Sequence, residues 1–148
     1  MGFSIEVKVE GMEKLQRKLE ANHTFAPAFR RLLEKMGLFV ERQAKENATG
    51  RPGPMVQTGR LRSSISHVVD SKGIPEWVKV GTNVKYAPFV ELGHMQHVGQ
   101  FVPPLKKRLV NPRAPAYPFL VPAFEKMKEK IGELVNEFQK VIEERWNS

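Results

Sequence analysis

The chain has 148 residues, long enough for one domain with a real core, and its 41% hydrophobic and 27% charged residues are a globular balance rather than a disordered one. It has no cysteine, which removes disulfides, thiolate metal sites and a cysteine nucleophile together and suits folding in a reducing cytosol. Lys plus Arg outnumber Asp plus Glu by 24 to 16, a net charge of +8, which favours phosphates or acidic protein surfaces as partners.

The predicted elements follow in chain order. Phe3, Ile5, Val7 and Val9 alternate with Ser4, Glu6, Lys8 and Glu10, the period of a half-buried strand. Gly11 ends it. Met12, Leu15 and Leu19 then predict a short helix. Asn22 or Thr24 is placed to cap a second helix, with Pro27 in its first turn. Phe29, Leu32, Leu33, Met36, Val40 and Ala44 carry it at spacings of three and four to about Asn47. Residues 48–57 hold two Gly and two Pro and read as a mobile loop.

Thr58 is a plausible cap for one or two turns that bury Leu61 and Ile65. Ser66–Val69 and Glu76–Val80 read as two strands joined by the turn Asp70–Pro75, a hairpin broken by Gly81-Thr82-Asn83. Tyr86–Gly93 reads as a short helix with Tyr86, Phe89 and Val90 on its docking face and Gly93 as its stop. Residues 94–118 show little periodicity, with five prolines and the run Lys106-Lys107-Arg108, and are predicted to be an irregular mobile loop that either binds something or is disordered.

The last segment repeats every seven residues: Leu120, Phe124, Met127, Ile131, Leu134, Phe138 and Val141, widened by Val121, Val135 and Ile142. So wide a stripe predicts packing within the domain; a coiled coil between chains prefers a narrower, longer seam. Strands and helices are segregated. The expected fold is a single α+β domain over 1–148: a small antiparallel sheet packed by a long central helix and a long C-terminal amphipathic helix, with extended loops.

The positive charge is concentrated in the middle. Residues 48–124 hold ten basic and three acidic residues, against nine and seven before them. Arg51, Arg60, Arg62, Lys106, Lys107, Arg108 and Arg113 are the candidates for an interface or for contact with passing DNA; the plain alternative is a solvated basic surface.

Nothing marks a catalytic centre. Glu91, His94 and His97 lie three apart, but Gly93 falls among them and the helical zinc spacing of two histidines four apart is missing. There is no P-loop, no GxGxxG and no nucleophile elbow around Ser63 or Ser64. The expectation is a protein without catalysis, cofactor or metal. No apolar run reaches the roughly 20 residues of a membrane span, and the first ten residues lack the features of a secretory signal.

Four segments occur in order: Thr58-Gly59-Arg60-Leu61-Arg62-Ser63-Ser64-Ile65; Val80-Gly81-Thr82; Tyr86-Ala87-Pro88-Phe89-Val90-Glu91-Leu92-Gly93; and Pro115-Ala116-Tyr117-Pro118-Phe119-Leu120-Val121-Pro122-Ala123-Phe124, opening the last helix. In this the chain resembles the tail-component (neck) family of long-tailed bacteriophages, the "gene product ten" family of lambdoid-type phages. Leu92 departs from the aromatic frequent there, and His94–Ala114 is longer than in many relatives. The resemblance implies a virion structural protein of the head–tail connection, made in the host cytoplasm. It would assemble in a ring with sister subunits and other neck or tail proteins, with non-specific contact to DNA in transit. It also implies that Thr58, Gly59, Leu61, Ile65, Tyr86, Pro88, Phe89, Glu91, Gly93, Pro118, Phe119 and Pro122 preserve the fold. A basic nucleic-acid-binding domain without catalytic activity is the alternative.

Overall fold

A computed structural model of the protein describes residues 2–8, 25–50, 53–54, 59–73, 75–103 and 106–148. The predicted helix at Met12–Leu19 and the candidates Arg51 and Thr58 lie outside the described residues.

Three strands form the main sheet: β1 (Phe3–Lys8), β2 (Ser66–Val69) and β3 (Trp77–Thr82). Their order is β1-β3-β2, antiparallel throughout, with β2 and β3 as the predicted hairpin. Asp70 sets its turn: the carboxylate accepts the amides of Lys72 at 3.1 Å and Glu76 at 3.3 Å, and the carbonyl accepts Arg30 Nη1 at 3.0 Å. The register pairs Ile5 with Val80, Val7 with Val78, and Val69 with Val78, so these side chains share one face.

β3 runs two residues past its expected end because Gly81 and Thr82 are ladder residues rather than breakers. A Cβ on Gly81 would lie 2.1 Å from the Phe3 carbonyl oxygen, so only glycine lets β1 come this close. Thr82 is buried, and its hydroxyl meets that of Ser64 at 2.6 Å while accepting the Val84 amide at 3.1 Å.

The helices are α1 (Ala26–Asn47), α2 (Arg60–Ser64), α3 (Ala87–Leu92) and α4 (Leu120–Trp146). α1 buries Phe29, Leu32, Leu33, Met36, Val40 and Ala44, the stripe its spacing predicts. Phe25, not Asn22 or Thr24, holds its N-cap position, and no side chain caps it there. α4 lies antiparallel along α1: Phe29 meets Phe138 edge-on at 5.7 Å, Lys35 pairs with Glu137, and Lys126 reaches Gln43 at 2.9 Å. The first heptad and the Leu134 and Phe138 positions therefore pack within the chain, whereas Ile131 and the widening Val121 and Val135, expected in the same packed stripe, stay exposed because neither α1 nor the sheet covers that side of α4. Leu120, Ala123 and Met127 are fully buried, and Phe124 closes over Ile5 and Val7.

A polar clamp joins helix to sheet inside this packing. His67 on β2 faces α1 and bonds Glu41 through Nδ1 and Glu34 through Nε2, the latter at 3.0 Å. Gly37 makes the room, since a Cβ there would stand 2.7 Å from the His67 ring. Burial works to lower the His67 pKa, but the bonds and charges of Glu41 and Glu34 outweigh it and raise the value above 6.5. Burial works to raise Glu41, yet Lys45 and His67 bring it below 4.5. The histidine share of the clamp is then complete below its ordinary pKa and lost as pH rises through the raised one. The glutamate share holds above 4.5 and is lost as pH falls. The expected result is a higher thermal unfolding midpoint at about pH 6 than at about pH 8.5, with the difference reduced in His67→Gln. Calorimetry at both pH values measures it; an unchanged difference in the variant would remove the clamp from the account.

Candidate functional site

The site begins where α3 meets the start of α4. An α-helix leaves its first four amides without intrahelical partners. In α4 these belong to Phe119, Leu120, Val121 and Pro122. Proline has no N–H to satisfy. The other three are taken by Glu91: Oε2 accepts Phe119 N at 2.8 Å and Leu120 N at 3.0 Å, and Oε1 accepts Val121 N at 2.8 Å. Glu91 is only 3% exposed, and its negative charge sits at the positive end of the helix dipole. The Phe119 carbonyl accepts Asn47 Nδ2 at 2.9 Å, which fastens the same point to the end of α1.

This arrangement settles the orientation of α3. Ala87 and Glu91 face inward, whereas Tyr86 and Phe89, expected on the docking face, are exposed. Val90 is half-buried against the core. The aromatic side chains yield the inner face because the carboxylate has three amides to reach there. Glu91 is therefore turned away from His94 and His97, which stand exposed, and among the described residues no group of acidic and histidine side chains is arranged to hold a metal.

Gly93 ends α3 with φ 73°, and a Cβ on it would stand 2.7 Å from the Ala114 carbonyl oxygen. Beyond it the chain leaves the body, and the expected irregular loop is a paired ribbon. β4 (His94–Met95) pairs with β7 (Arg113–Ala114), and β5 (Phe101–Val102) pairs with β6 (Lys107–Arg108), both antiparallel. Gln96 N to Pro112 O at 2.9 Å and Gly99 N to Leu109 O at 2.7 Å continue the pairing between the two ladders. The return strand rejoins the body through Tyr117 N to Val90 O at 2.8 Å. The result is a two-stranded arm rooted beside the Glu91 cap. Prolines and glycines hid it from periodicity, because its ladders are only two residues each.

Arm chemistry is apolar and basic together. Met95 is 74% exposed and Val110 77%, with Val98 and Phe101 also open to solvent. Phe89 and Leu92 continue the apolar surface at the root, where the Phe89 and His94 rings meet edge-on at 5.6 Å. Lys106 and Lys107 lie at the tip with Arg108, which donates to the Gly99 carbonyl at 2.8 Å. Arg113 is exposed near the root. Arg60 and Arg62 stand apart on α2, so the basic candidates divide between body and arm.

The other described motif residues sit in or beside the short helices and the start of α4. Leu61 and Ile65 are buried, as expected. Gly59 takes the N-cap position of α2 with φ 72°, and nothing among the described residues lies within 4 Å of a Cβ placed there, so it supplies a backbone turn. Pro88 sits in the first turn of α3, Pro118 precedes α4, and Phe119 is wholly buried at the α4 N-cap position.

Residues 12–93 match the family described as "Bacteriophage HK97-gp10, putative tail-component". The chain belongs to this family. It is accordingly a phage tail component, with a structural role in the virion. No curated protein and no solved structure matches the chain. The matched segment ends at Gly93, so the tail-component likeness takes in Glu91, while the arm and α4 lie beyond it.

Removing the cap carboxylate strands three amides in or near the core, each worth about 1–3 kcal/mol. Glu91→Ala is expected to lower unfolding free energy by about 3 kcal/mol or more, and Glu91→Gln by a smaller amount, since it keeps one acceptor oxygen. Urea unfolding followed by circular dichroism measures both; a loss within 0.5 kcal/mol, about the size of an ordinary surface substitution, would contradict the capping role.

Proposed function

We propose that this tail component completes the junction between phage head and tail, acting without catalysis as one subunit of a ring on the tail axis. The observation that supports this reading is the arm: a paired ribbon, basic and apolar, whose Met95, Val98, Phe101 and Val110 are exposed. Exposed apolar side chains in such concentration suit contact with another protein. A two-stranded ribbon alone is only marginally stable in water, and a neighbour's surface would complete it.

Sister subunits and other neck or tail proteins are the partners on this reading. The basic residues Arg51, Arg60, Arg62, Lys106, Lys107, Arg108 and Arg113 meet acidic neighbours or line the passage for DNA. Passage calls for weak, sequence-independent phosphate contacts, with no reading of bases. The whole chain, 1–148, works as one domain. Among the described residues no helix is long and apolar enough to cross a membrane, and no membrane partner is invoked.

The net charge of +8 favours one alternative, a free nucleic-acid-binding domain. A DNA titration across salt separates the two: tight binding with a steep salt slope belongs to the alternative. On the proposed reading, particles made without this chain accumulate as separate heads and tails. The purified chain is expected to run as a monomer or weak oligomer by size-exclusion chromatography with light scattering, its subunits closing into a ring on the growing particle. Joined, infectious particles lacking the chain would refute the placement.

A further inference from the structure

The tip of the arm and the outer half of α4 have complementary chemistry. Residues 94–114 carry Lys106, Lys107, Arg108 and Arg113 and no acidic residue. A nucleic-acid backbone would satisfy these charges and leave Met95, Val98, Phe101 and Val110 in water. A protein surface with an apolar centre and an acidic edge satisfies both.

α4 offers such a surface beyond its buried first half. Ile131 is 40% exposed and Val135 36%. From 129 to 144 the helix holds five glutamates against Lys130 and Lys140. Lys35 takes up Glu137, but Glu129 and Glu143 have no side-chain partner among the described residues. At 3.6 residues per turn, Gly132 lies between the Ile131–Val135 strip and the Glu129–Glu143 strip. A glycine inside a helix costs stability relative to alanine. A Cβ here would meet nothing within 4 Å among the described residues, so packing against them gives no reason for the glycine. It leaves bare backbone beside Val135, where another chain can approach closely.

We infer that the arm of one copy lies across Ile131, Gly132 and Val135 on α4 of the next copy, its basic residues meeting Glu129 and Glu143. The contact joins two different surfaces, so each copy gives one contact and receives one, the head-to-tail arrangement from which a ring is built when the rotation between copies closes. The inference rests on the sister-subunit reading and names the two surfaces that meet.

The chain has no cysteine, so single cysteines report contacts cleanly. Full-length Val98→Cys and Val135→Cys proteins, mixed and oxidised in solution and in assembled particles, are expected to give about tenfold more cross-linked dimer than either alone. Gly132→Gln, a better helix former, is expected to raise the unfolding temperature while cutting that yield by about tenfold. Charge reversal at Lys107 and Arg108 lowers the yield, and Glu129→Lys with Glu143→Lys in the partner restores it. Val98→Cys linking chiefly to itself would overturn the inference yet leave sister-subunit assembly standing, because arms would then meet arms. Linking to a different virion protein would overturn it as well. No cross-link between copies in solution or in particles, for either variant, would overturn both readings.

Discussion

The carboxylate of Glu91 holds the start of α4, and the rest of the molecule is organised around that point. Three of the four amides that the helix leaves unpaired end on its two oxygens, and Pro122 has removed the fourth. Charge-assisted bonds in a buried place are stronger than neutral ones, and here they also complement the helix dipole. Asn47 fastens the same turn to the end of α1. α1, α3 and α4 therefore converge within a few residues, and the core of Leu33, Val40, Phe119, Leu120 and Met127 forms around the junction.

That convergence explains how the chain can carry a long excursion between Gly93 and Pro115 without loosening its body. The two roots of the arm are pinned by the His94–Ala114 pairing and by Tyr117 N on Val90 O. Closing a longer excursion between fixed ends costs little extra, because the entropy of closure grows only with the logarithm of length. The body keeps its own stability, and the arm is released to present side chains that no core residue needs. The packed core sits behind the cap, and the exposed apolar side chains of the arm sit beyond it.

Charge follows the same division. The His67 clamp with Glu34 and Glu41, the Asp70 turn and the Glu91 cap each bond acidic groups of the body to its own backbone or cations. The arm, in contrast, is basic without an acidic residue. The arm thus supplies +4 of the net +8 from 21 residues, the rest of the chain the other +4.

The sequence alone determined the elements whose burial is periodic. Alternation at Phe3–Lys8, the three-and-four spacing of α1, the first heptads of α4 and the Asp70–Pro75 turn all report a local pattern that water and a core impose on every strand or helix. It also named Glu91 within a motif, without the role. Only the tertiary structure decided that role, since Glu91 and its three amides lie 28 to 30 residues apart and nothing in the spacing of either segment requires them to meet. The same closure turned Tyr86 and Phe89 outward, although their spacing with Val90 marks an inner face: three amides needing an acceptor outweigh two aromatic rings that can remain in solvent. It made a ribbon of residues 94–114, whose pairings depend on where their ends are held. And it placed Glu34, Gly37 and Glu41, one face of a helix in sequence, around a histidine on another element. Local periodicity records which side of an element is dry; which distant group satisfies a buried polar atom is set by how the whole chain closes.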